Sequence, residues 1–88
     1  MVRCGMKIGD IYEMKRAGDV NGLLSAVFDD NEYVRAAAAE TLSGYPDPRV
    51  KEVLSRVKFD DPVQRVRDAA TRAHLMVVQS TRKETETD

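Results

Sequence analysis

Four apolar positions, Val20, Leu23, Leu24 and Val27, follow one another at the i, i+3, i+4, i+7 spacing that places side chains on a single face of a helix. Thirty positions later the same spacing returns as Val50, Val53, Leu54 and Val57. A second stripe, Val34, Ala37, Ala38, Thr41, Leu42 and Tyr45, is answered at an offset of 32 by Val66, Ala69, Ala70, Ala73, His74 and Val77. These four stripes describe one helix pair written twice. Neither pair can cover its apolar side alone, so the pairs must stack. Ahead of them, Ile8, Ile11 and Tyr12 mark a further amphipathic helix, with Lys7, Asp10, Glu13 and Arg16 supplying the polar outer face a terminal helix requires.

The punctuation agrees with this pattern. Gly18 can end the first helix in the left-handed region and Asp19 can cap the next. Asp-Pro at 47–48 and again at 61–62 places a capping carboxylate before a proline suited to the first helical position. Tyr45 precedes Pro46 and is pushed out of the helical region, which closes the helix before it. The expectation is a single domain over residues 1–79 with helices at about 8–17, 20–28, 31–44, 48–58 and 62–80, followed by a disordered polar tail over 80–88. Runs of alanine, Ala36 to Ala39 and then Ala69, Ala70 and Ala73, leave so little side chain that neighbouring helices can approach closely.

The repeated phrase reads D-D-N-E-Y-V-R-A-A-A-A-E-T-L in the first copy and D-D-P-V-Q-R-V-R-D-A-A-T-R-A-H-L in the second. Over residues 19–78 it resembles the short HEAT-like repeats first associated with phycobilisome lyases. The resemblance implies an all-α fold: a short alpha-alpha superhelix of about five helices, two helix-pair repeats behind an N-terminal capping helix. It also implies that arginines and aspartates join the loops of adjacent units. That assigns Asp30, Arg35, Asp61 and Arg67 to structural inter-repeat pairing, with Asp29 and Asp60 as further acceptors. Two departures stand out: the second copy has one extra residue between its double Asp and its Val-Arg, and His74 stands where the pattern has Leu.

In this resemblance the second helix of each pair lines the concave side. The off-stripe positions Tyr33, Ala36, Glu40 and Ser43, and at the same offset Arg65, Asp68, Arg72 and Leu75, are then the candidate binding face. A plain alternative is a solvated surface on which Glu40 pairs with Arg72 and Tyr33 lies against Arg65. The run Leu75, Met76, Val77, Val78 is apolar in every direction around a helix, which one stripe of packing cannot cover. Leu75, Met76 and Val78 therefore join Tyr33, Ala36, Glu40, Arg65, Asp68 and Arg72 as expected partner contacts, with a homodimer through the last helix as one outcome.

Composition narrows the chemistry. A net charge of −1 over 88 residues supplies no global field for a polyanion, so nucleic-acid contact through Arg65, Arg72, Arg82 and Lys83 is a weak alternative. The single His74 has no second histidine or His-Glu pair beside it, and the single Cys4 excludes both an internal disulfide and a cysteine zinc cluster. No nucleophile elbow or glycine-rich phosphate loop is present, and the acids sit where helix capping accounts for them. No signal peptide core or membrane span is legible. The expectation is a cytoplasmic, non-enzymatic interaction or scaffold module that binds a protein partner, without cofactor or metal. An accessory subunit of a lyase, implied only by the family association, is the alternative from another class.

Overall fold

The computed structural model describes residues 6–86, with side chains as far as Thr81; residues 1–5, including Cys4, and 87–88 lie outside. Five helices follow in order: α1 Ile8–Ala17, α2 Val20–Ala26, α3 Glu32–Leu42, α4 Pro48–Asp60 and α5 Gln64–Glu86. Among the described residues there is no strand.

The ends of these helices follow from particular side chains. Gly18 closes α1 at φ 67°, its N–H and that of Asp19 returning to the Lys15 and Met14 carbonyls. Asp19 then caps α2, accepting from the Gly22 amide at 2.9 Å. Asn31 caps α3 through the Tyr33 amide at 2.8 Å, and Asp47 caps α4 through the Arg49 amide at 2.8 Å, with Pro48 at the first helical position. The second Asp-Pro behaves differently. Asp61 accepts from the Val63 amide, so Pro62 lies in the turn and α5 begins at Gln64, not at residue 62.

The far end of α5 also departs from expectation. Its backbone stays helical through Glu86, inside the stretch expected to be disordered, because no Gly or Pro interrupts residues 80–86 and Arg82, Lys83 and Glu84 are good helix formers extending a packed helix.

Helix α3 packs on α5, α4 packs on α5, and α2 on α3, while α1 lies across α2 and α3. The core between them holds Leu23, Val27, Val34, Leu42, Val50, Leu54, Val66 and Val77, all fully buried. Ala38 and Ala39 of α3 and Ala69, Ala70 and Ala73 of α5 are buried in the same core. Ala36, expected on the binding face, belongs to this packing as well: it is only 7 % exposed and carries no surface contact. An alanine one step from a buried stripe is covered by the larger side chains around it, so its polar-face position in the sequence misleads.

Candidate functional site

Two sets of side chains join the helix pairs, one inside the stack and one along its surface. Inside, Asp61 is held by the turn between α4 and α5, its Oδ1 accepting from the Val63 amide at 2.9 Å. The Arg35 guanidinium of α3 meets it as a fork, Nε to Oδ2 at 2.8 Å and Nη2 to Oδ1 at 3.2 Å. The Arg35 Nη1 donates backward to the carbonyls of Asp29 and Asp30 at 2.9 and 3.1 Å. Both partners are mostly buried, with 12 % of the Arg35 side chain and 7 % of the Asp61 side chain exposed. A two-bonded, charge-assisted pair in this setting fixes the angle between units.

The other residues assigned to inter-repeat pairing act otherwise. Asp30 contributes its carbonyl to Arg35, not its carboxylate. Arg67 donates Nη1 to the carbonyl of Asp61, in the turn of its own unit, at 2.7 Å, and forms no salt bridge among the described residues. Asp29, itself buried, turns its carboxylate to the amides of Asn31 at 3.0 Å and Met6 at 3.4 Å. Asp29 and Asp61 are thus equivalent, each closing the turn two residues ahead. The register runs at the offset of 32, and the extra residue of the second copy is absorbed before Asp61.

Along the surface, α3 and α5 present a row of cross-helix contacts. Arg65 lies over the Tyr33 ring at 4.7 Å and donates to Glu32 at 3.3 Å. Two turns on, Arg72 donates to Glu40 at 3.2 Å. Beyond that rung an open depression of about 190 Å³ is lined by Glu40, Ser43, Ala69, Arg72, Ala73 and Met76. Tyr33, Glu40, Arg65 and Arg72 therefore come together, with Met76 at the end of the row. Asp68 is exposed but takes part in none of these contacts.

The apolar run of α5 is divided by the helix. Val77 is fully buried, Val78 is half-buried, and Leu75 and Met76 are 56 % and 53 % exposed on adjoining faces. Val78 is therefore less open than its sequence suggests.

His74 also faces α4. The Lys58 ammonium donates to its Nδ1 at 3.1 Å, and burial, then Lys58, then Lys51 hold the imidazole pKa below its ordinary value. Among the described residues no group of three His, Cys, Asp or Glu could hold a metal ion, and no helix is long and apolar enough to cross a membrane. The side chains of Arg82 and Lys83 lie outside the described residues.

Two exposed aromatics escaped the pattern reading. Phe28 and Phe59 open the repeated phrase, Phe28 in the turn just past α2 and Phe59 in the last turn of α4, 65 % and 75 % exposed. Phe28 borders an open depression of about 310 Å³ with Arg56, Val57, Asp60, Asp61 and Pro62. The signal was present: both fall off the i, i+3, i+4, i+7 stripe of their helices, so packing did not require them to be aromatic.

No match to the chain is found among curated proteins or among solved structures. A family model for HEAT repeats matches residues 5–74. With its stacked helix pairs and that match over most of its length, the chain belongs to the HEAT repeat family.

Proposed function

We propose that this chain is a non-enzymatic interaction module that binds a protein partner along the α3/α5 face, with Tyr33, Arg65, Arg72 and Met76 as the contacts. HEAT repeats in general mediate protein–protein interaction. The observation that carries the reading here is the row itself. Exposed apolar groups, Tyr33 at 54 % and Met76 at 53 %, stand at its two ends, and the charges between them are already matched in sign, Arg65 with Glu32 and Arg72 with Glu40. Such a strip attracts neither sign strongly. It suits a partner whose apolar side chains reach Tyr33 and the depression beside Met76, with its own polar groups meeting the matched charges at the rim. Leu75, on the adjoining face of α5, extends the apolar contact past the row.

The same matching weighs against a nucleic-acid reading, since counterion release needs cations not already neutralised by neighbouring carboxylates. To test the proposal, a photo-crosslinking amino acid is placed at Tyr33, at Met76, or at Glu13 on the remote face of α1, and each protein is irradiated in native extract. The expected result is one shared crosslinked protein from the first two positions and none of it from the third. Equal yields from all three positions would defeat the reading.

A further inference from the structure

Arg35 and Arg67 occupy equivalent places in the two units, and only one of them has a carboxylate. Each sends Nη1 back to the carbonyls of its own turn: Arg35 to Asp29 and Asp30, Arg67 to Asp61. Arg35 then extends Nε and Nη2 forward onto Asp61 of the next unit. For Arg67, no carboxylate among the described residues meets Nε or Nη2. Arg67 is half-buried, and its guanidinium carries one hydrogen bond where its counterpart carries four.

The surroundings say what would fill it. In the first unit, Ala39 and Leu42 lie on the Arg35 side of α3 and are fully buried beneath the next unit. Their counterparts on α5 are Thr71, exposed, and His74, half-buried. The Thr71 hydroxyl is satisfied by the Arg67 carbonyl at 2.8 Å, but an apolar helix pair stacked here would strip water from His74 and the Lys58 ammonium bonded to it, so a simple continuation of the repeat is disfavoured. The face is also basic. His74 lies seven positions from Arg67 and thus on the same side of α5, and it is flanked by Lys58 and Lys51 of α4. Against these, Glu52 is the acid beside His74, in an open depression shared with Pro48, Lys51 and Ser55.

We propose that this end face docks an acidic protein segment, one carboxylate of which occupies the Arg67 fork as Asp61 occupies that of Arg35, with Lys51 and Lys58 beside it. The guanidinium fork selects a planar carboxylate in two-bonded geometry, and the lysines favour an acidic neighbourhood around it. A nucleic-acid backbone would need a longer track of free cations, and the other arginines of α5 whose side chains are described, Arg65 and Arg72, lie on another side and are paired. The site is separate from the α3/α5 row, so changes at Tyr33 and Met76 leave it intact.

The full chain, titrated with a hexaglutamate peptide, tests this by NMR of the arginine Nε–H groups and of the ring of His74, the chain's one histidine. Before addition, the Arg35 Nε–H is expected to exchange with water at least about tenfold more slowly than that of Arg67. The peptide should slow exchange at Arg67 and raise the titration midpoint of His74, since added carboxylates favour the imidazolium. Arg67→Lys, which keeps the charge and loses the fork, should weaken peptide binding about tenfold, whereas Arg16→Lys, at an exposed position of α1, should change it less than about twofold.

Equal binding by Arg67→Lys and wild type overturns the proposal. So does an Arg67 Nε–H already as slow as that of Arg35 without peptide. That comparison uses wild type alone and decides the matter even if a variant does not fold. Exchange at Arg67 that slows with protein concentration in the absence of peptide assigns the fork to a second copy instead. Tighter binding of a thymidine oligonucleotide than of the peptide assigns the face to nucleic acid. Either result also overturns it.

Discussion

At the scale of single residues, Arg35 and His74 carry the most testable consequences. Removing one member of a mostly buried ion pair leaves the other charge unmatched, so Arg35→Ala should lower unfolding free energy by about 3 kcal/mol or more in chemical denaturation. Arg67→Ala removes one bond to a carbonyl and should lower it by about 1–2 kcal/mol. Equal losses would mean that the two arginines do the same work. His74 gives a pH dependence whose sign is fixed. Its folded pKa lies below the ordinary value of 6.5, so near that value the unfolded chain binds more protons than the folded one. The contribution is complete above about 6.5 and is lost as pH falls through 6.5 and then through the lower folded value. The Tm difference between wild type and His74→Leu should therefore shift against wild type on acidification, and a pH-independent difference would contradict the assignment. The sequence flagged both residues, but could not show that Arg67 lacks the partner Arg35 has, because that depends on which unit comes next in space.

At the scale of the elements, caps and breaks were legible where one residue decides them. Gly18, Asp19, Asp47 and Pro48 act locally, and α1 covers Ile8–Ala17. Gly18→Ala should cost about 1 kcal/mol, since its Cβ would meet no atom within 4 Å and the penalty is that of the left-handed backbone alone. An unchanged Tm would show that α1 ends differently in solution. Boundaries that depend on a second unit were not legible. Asp61 resembles Asp47 in sequence, yet its carboxylate serves Val63 and Arg35 together, and α5 starts beyond the proline. Ala36 and Val78 failed as surface residues for a related reason: a helical wheel gives the direction of a side chain, not what lies over it.

Across the whole molecule, two helix pairs and a leading helix make a small stack in which α5 touches both α3 and α4 and leaves Leu75 and Met76 open. If α5 also serves as a self-association surface, light scattering at micromolar concentration should give a dimer mass for wild type and a monomer mass for Leu75→Lys combined with Met76→Lys. A monomer in both cases removes that possibility and leaves Leu75 and Met76 to another partner. By itself the sequence determined the all-α class, the twofold repeat and the helix order, since periodic apolar spacing and caps are local and survive in any packing. Only the tertiary structure decided the pairing of Arg35 with Asp61, the burial of Ala36, the row from Tyr33 to Met76 and the incomplete fork of Arg67. Those depend on the rotation and register of one helix pair against the next, which the summed packing of many side chains fixes and no single spacing encodes.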